Sequence, residues 1–257
     1  MPKFAANLSM MFTEHDFLDR FDAAADAGFA AVEYLFPYEH SPTDIAERLT
    51  RNNLTQALFN LPPGDFAAGE RGLAALSGRA EEFKASVDLA LEYAAATGVK
   101  RLHMMAGLAS SHDPKALVTY QGALELAARK LGEAGLDLVI EPINGRNMPG
   151  YFLDDFDLAT RIIADSNMPN VKLQFDVYHR QIMHGDVTMA LRALMPIIGH
   201  VQIAAVPSRA EPDEGEIAYA SIFATLDRIG WGGWTGCEYR PRGDTDAGLA
   251  WMRTPGR

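Results

Sequence analysis

The sequence predicts a single (β/α)8 barrel over residues 1–257, and three observations predict it. Short β-rich runs alternate with longer amphipathic segments from end to end. The alternation recurs eight times at roughly 30 residues per unit, the rhythm that closes a parallel sheet on itself. Four successive late runs each carry, at or near the C-terminal end, a polar oxygen side chain, Glu141, Asp176, Gln202 and Glu238, spaced 35, 26 and 36 residues apart.

KFAANL (3–8) is the first strand, followed by a helical EHDFLDRFDAAADA (14–27) with Gly28 just beyond it. AAVEYLF (30–36) leads to a helix at 43–52, and LTQALFN (54–60) to the turn-rich NLPPGDFAAGERG (60–72) and a helix at 76–97. KRLHMMA (100–106) precedes a helix at 115–133, LDLVIEP (136–142) one at 154–166, and VKLQFD (171–176) one at 186–195. HVQIAAV (200–206) is followed by PSRAEPDEGE (207–216) and a helix at 218–229; WTGCEY (234–239) precedes a short helix near 245–252. Gly28, Gly98, Gly135 and Gly230 fall where a positive φ commonly ends a helix. No linker divides the chain, and the two turn-rich segments follow strands, so both read as long loops on the active face.

A net charge of −11 and a pI near 5.1 argue against nucleic-acid or acidic-membrane binding, because phosphate contacts need clustered Lys and Arg. The partner expected instead is a small molecule. With 48% hydrophobic residues the chain can fill a large core. The single cysteine, Cys237, excludes an internal disulfide and a thiolate metal cage. No basic-then-apolar leader and no long uncharged apolar stretch is present, so a soluble cytoplasmic protein is expected; a homo-oligomer stays open.

Strand parity tests the four oxygen residues. In LDLVIE, Asp137, Val139 and Glu141 share one face; in VKLQFD, Lys172, Gln174 and Asp176 do; in HVQIAAV, Gln202 and Ala204; in GCEYR, Gly236 and Glu238. The opposite faces are apolar and must meet the helices, which turns every one of the four oxygen residues inward. Three converging carboxylates repel one another in a partly dry pocket, and a divalent cation removes that repulsion. All-oxygen ligation points to a hard ion, Mg²⁺ or Mn²⁺. The same parity suggests that Asp137 and Lys172 pair at the barrel base.

The segments FAANLSMMF, LFNLPPGD, AAGERGLAAL, VIEPIN, PGYFL, HVQIA, EPDEGEIAY and GGWTGCEYRP together resemble the hydroxypyruvate isomerase family of the xylose-isomerase-like barrel superfamily, over residues 4 to about 252. The resemblance implies interconversion of hydroxypyruvate with tartronate semialdehyde, or isomerisation of 2-oxo-tetronate. It implies Glu141 and Glu238 as the acid/base pair, with Asp176 and Gln202 completing the metal set. Many relatives in the wider superfamily carry a histidine where Gln202 stands. Moving a carbonyl by one carbon requires removing one proton and returning another through a cis-enediolate, which explains two carboxylates.

His179, three residues after Asp176, is a candidate for a substrate oxygen from the loop after strand 6. Arg209 suits a substrate carboxylate, although Glu211, Asp213 and Glu214 compete for it. His103 is a third candidate, with core filling the simpler reading. Arg146, Arg180 and Arg240 are unranked alternatives. Phe36, Phe59 and Tyr34 could wall the pocket or equally fill the barrel, while His112, His184 and His200 read as structural or exposed. The rivals on the same barrel are a ketose 3-epimerase, an inosose-type dehydratase and a non-catalytic binding protein. An apurinic endonuclease would need several histidine ligands and a basic face.

Overall fold

Eight parallel strands close into one barrel in strict chain order in the computed structural model, which describes residues 1–253. The strands are β1 (Lys3–Asn7), β2 (Ala31–Glu33), β3 (Thr55–Asn60), β4 (Arg101–His103), β5 (Asp137–Ile140), β6 (Val171–Asp176), β7 (Ile198–Ile203) and β8 (Trp234–Cys237). Pairing of β1 with β8, Lys3 against Trp234 through Ala6 against Cys237, completes the ring. The helices are α1 (Arg20–Asp26), α2 (Pro42–Arg51), α3 (Ala80–Thr97), α4 (Pro114–Glu133), α5 (Phe156–Ser166), α6 (Val177–Met183), α7 (Val187–Leu194), α8 (Tyr219–Arg228) and α9 (Ala250–Arg253). Residues 254–257 of the expected domain lie outside the described ones.

Local chemistry starts and stops these helices. Ser41, Asp113 and Asp155 each accept a backbone N–H of the following turn, and Pro42 and Pro114 stand at the first helical position, where no N–H is needed. Gly98 ends α3 at φ 70°, donating to Ala94 O, as its position in the sequence predicts.

Outward strand residues such as Leu138, Leu173 and Val201 are fully buried against the helices. Each contributes about 1.5–3 kcal/mol by leaving water. Tyr34 and Phe59 are part of this core and do not wall the pocket. Inside the barrel the base is small, with Ala5, Ala31 and Ala57 beside Trp234. Above it lies a polar layer. His200 Nε2 is 2.6 Å from Glu33 Oε2, Gln202 Nε2 donates to Glu33 Oε1 at 2.8 Å, and Gln174 Nε2 donates to Gln202 Oε1 at 2.7 Å. Gly236 makes room for it: a Cβ there would lie 2.2 Å from Glu33 Oε2.

Three expectations are corrected. The strands end at Ile140 and Cys237, one residue short of Glu141 and Glu238, because the ladder pairing ends there. The segment after β6 is the helix α6 and not a loop, begun by Asp176, whose Oδ1 accepts the Tyr178 N–H at 2.8 Å. Asp137 and Lys172 form no ion pair among the described residues: Lys172 sits level with Val139, while Asp137 sits level with Arg101. Strand stagger moves the two charges to different heights.

Candidate active site

The rim of the barrel encloses a cavity of about 560 Å³ that reaches Glu141, His179, Arg209, Glu238 and His103, five residues the sequence singles out. Glu141 follows β5, Asp176 ends β6 and caps α6, and Glu238 follows β8. One ligand-type atom from each of Glu141, Asp176, His179 and Glu238 lies within 4.8 Å of all the others. All four residues are buried. Residues 97 positions apart in the chain therefore meet because consecutive strand ends converge.

Burial first, and then the repulsion of Glu238 and Asp176, pushes the Glu141 carboxyl well above the usual carboxylate range. Burial raises Glu238 to about 7, although Arg209 opposes the rise. Burial raises Asp176 to about 6 against Arg209 and the backbone N–H groups of Tyr178 and His179. Burial disfavours the Arg209 charge too, but Glu238, Asp176 and Glu141 outweigh it and hold the guanidinium protonated. Burial keeps both histidines neutral, His103 down to about 3 and His179 well below its ordinary value. The centre thus carries more buried carboxylate than its one guanidinium offsets.

A cation fits that deficit. Glu141 Oε1 and Asp176 Oδ2 are buried acceptors with no hydrogen-bond donor among the described residues. Such atoms are costly to leave unpaired, and a divalent ion is the partner that satisfies both at once.

Gln202 and His179 differ in what they can offer it. The Asn144 backbone N–H, which can only donate, points at His179 Nδ1 from 3.2 Å, and the Asn144 side-chain nitrogen lies 2.6 Å from the same atom. Nδ1 is then the accepting nitrogen, so in the neutral ring Nε2 bears the hydrogen and has no lone pair for a cation. That hydrogen faces Asp176 Oδ2 at 3.5 Å and Glu141 Oε1 at 3.9 Å. Gln202 is oriented from below, its Nε2 on Glu33 and its Oε1 accepting from Gln174. The second lone pair of that oxygen stays available.

Arg209 departs from its sequence reading. It donates to Glu238 Oε2 at 2.6 Å and lies over the Tyr178 ring, whereas Glu211, Asp213 and Glu214 all pair with Arg242. His103 faces Glu141 Oε2 across 3.8 Å, and its Nε2 has no hydrogen-bond partner among the described residues. Phe36 lines the cavity. His200 is a buried partner of Glu33, and His184 pairs with Asp155. Arg240 also lines the cavity.

Sequence reasoning missed Glu33 and Arg71. Glu33 alternates with inward Ala31 in AAVEYLF, a legible signal of a charge aimed into the barrel. Arg71 sits in the active-face loop at 60–72 and in AAGERGLAAL, a segment that carries the family resemblance, but no periodicity singles out its side chain. Among the described residues no helix is long and apolar enough to cross a membrane.

Residues 21–254 match the family described as the xylose isomerase-like TIM barrel. The chain is 53% identical to the 2-oxo-tetronate isomerase of Cupriavidus necator, with 98% of each chain covered. It is 42% identical to the hydroxypyruvate isomerase of Escherichia coli, again over 98% of each. Among solved structures, one described as an AP endonuclease of family 2 from Brucella melitensis superposes with a TM-score of 0.97 at 50% identity, covering all of both chains.

Proposed function

The chain belongs to the hydroxypyruvate/2-oxo-tetronate isomerase family of xylose isomerase-like TIM barrels, and from that premise we propose how its buried carboxylates isomerise a small hydroxy-oxo acid. The observation that carries the reading is the convergence of Glu141 and Glu238 with Asp176 in one buried cluster, with acceptor oxygens left unpaired. The relative at 53% identity is named for 2-oxo-tetronate, which favours the four-carbon acid over hydroxypyruvate.

Glu141, Asp176, Gln202 and Glu238 would hold a divalent ion, Mg²⁺ or Mn²⁺. Bound there, the ion supplies Lewis-acid stabilisation of the negative charge that develops on the substrate oxygens. The chain's own residues move the protons. One glutamate takes the proton from the hydroxyl-bearing carbon beside the carbonyl, the hydroxyl proton passes to the former carbonyl oxygen, and the enediolate accepts a proton at the former carbonyl carbon, from the other glutamate or the same one. Burial raises both carboxyl groups, Glu238 to about 7, where it can be filled and emptied at working pH. His179 directs its Nε2–H into the pocket, where a substrate oxygen would accept it, and neutral His103 lines the same wall. Arg209 donates to Glu238 and would hold that carboxyl group in place for its part in the proton transfer.

The endonuclease description of the Brucella melitensis structure supplies a second reading. The net charge of −11 and the single histidine in the buried cluster favour the isomerase. The test is a panel of hydroxypyruvate and 2-oxo-tetronate, with added Mg²⁺ or Mn²⁺ and after chelation, with products read by NMR. Metal-dependent conversion of at least one acid is expected; conversion of neither would reject the reading.

A further inference from the structure

We propose that Arg71, on the loop after β3, binds the carboxylate of the substrate. The assignment rests on the reading above that the substrate is a hydroxy-oxo acid, and it replaces Arg209 in that role. Arg209 is committed to Glu238 and Tyr178, so its guanidinium is already spoken for inside the site.

Arg71 lines the same cavity as Glu141 and Glu238, yet it has no anionic partner among the described residues. Its Nη1 donates to two backbone carbonyls, Phe66 O at 3.0 Å and Glu70 O at 2.7 Å. Its guanidinium lies 4.0 Å from the centre of the Phe66 ring, which in turn leans on Phe36 at 5.1 Å. Nε and Nη2 donate to nothing among the described residues, leaving two donors of a planar fork for a carboxylate. The neighbouring acid that could have neutralised it, Glu70, is turned away to Arg79 at 2.6 Å and accepts the Asp65 N–H. Of the three arginines that line the pocket, Arg209 is paired with an acid, while Arg71 and Arg240 have none among the described residues.

The loop holds the fork still. Gly72 bridges to Ala106, Gly107 N donates to Arg71 O at 3.0 Å, and Gly72 N donates to Pro63 O at 2.9 Å. At φ 111° a side chain on Gly72 would be strained, and its Cβ would lie 2.3 Å from Met105 O, so only glycine lets this backbone lie against the segment after β4. Arg240 faces the cavity as well, but it is exposed and its side chain has no hydrogen bond among the described residues. Ordering it on a ligand would therefore sacrifice more rotamer freedom than ordering Arg71.

The experiment titrates Mg²⁺-supplied wild type, Arg71→Met and Arg71→Lys with glycerate, a hydroxy acid with no carbonyl to isomerise, and with glycerol, its neutral counterpart. Arg71→Met keeps a stem to cover Phe66 while removing the charge. It should bind glycerate about tenfold or more weaker than wild type, the range of one charge-assisted contact, with Arg71→Lys between them and glycerol equally weak for all three. With a turned-over acid, KM should rise by a similar factor while kcat stays within about threefold. Unchanged glycerate affinity in Arg71→Met, equal losses for glycerate and glycerol, or no glycerate binding by wild type would each overturn the assignment. If wild type isomerises no acid but glycerate binding still depends on Arg71, the carboxylate site stands and the isomerase reading falls.

Discussion

Arg209 donates to the Glu238 carboxylate across 2.6 Å, and the residue stands at a left-handed φ of 56° in the loop after β7. This pairing ties a residue of one active-face loop to a proposed acid/base group at the end of the next strand. On the mechanism proposed above, this would place Arg209 beside the proton-transfer group, where sequence alone suggests a contact to the far end of the substrate.

Arg209→Ala should therefore lower turnover by about 10²-fold, and not only raise KM, because Glu238 loses the charge that opposes its protonation. The pH at which the base loses its proton should move up from about 7. A pH–rate profile of the variant checks both. A rise in KM with unchanged kcat and profile would return Arg209 to simple substrate binding.

One divalent ion should bind the chelated protein, and at a free concentration 100 times its Kd it should stabilise the fold by about 2.7 kcal/mol. Asp176→Ala should abolish the uptake. Metal-free, Asp176 and Glu238 keep protons that the unfolded chain has already released, so their contribution to stability falls as pH rises from ordinary carboxylate values through about 6 and about 7. The ion must displace those protons. Binding should consequently tighten with pH across that window and release more protons at pH ~6 than at pH ~8. Calorimetry in two buffers of different ionisation enthalpy measures the release, and a pH-independent value would contradict buried, protonated ligands.

Glu141→Gln and Glu238→Gln keep shape and a ligand oxygen but cannot accept a proton. Each should cost at least ~10²-fold in turnover. Metal uptake should survive better than activity. Incorporation of deuterium from D₂O into unreacted substrate identifies the initiating base as the glutamate whose replacement stops the exchange. Near wild-type rates for both variants would mean that another group carries the proton.

Gly236→Ala would put a Cβ within 2.2–2.4 Å of the Glu33 carboxylate, which also bonds His200 and Gln202. Overpacking of this kind should cost about 1–3 kcal/mol in denaturant unfolding. Glu33→Asp shortens the clashing side chain, so the double variant should lose less than the two single losses combined. Strict additivity would show that the two residues do not contend for the same space.

The βα rhythm, the strand faces and three of the acidic residues of the pocket were legible in the sequence because they depend on short-range rules. Period-2 alternation puts Glu141, Asp176 and Glu238 on inward faces, and parallel closure carries those faces to one rim. The pairings were not legible. Which acid Arg209 meets, how Asn144 sets the His179 tautomer, why Lys172 misses Asp137 and how Glu33 reaches His200 depend on stagger between strands and on loops crossing the rim. Asn144 and His179 are 35 residues apart and Glu33 and His200 are 167 apart. Local propensity carries no information about such separations; only the closed barrel, by fixing the height and direction of each side chain, decided which charges meet.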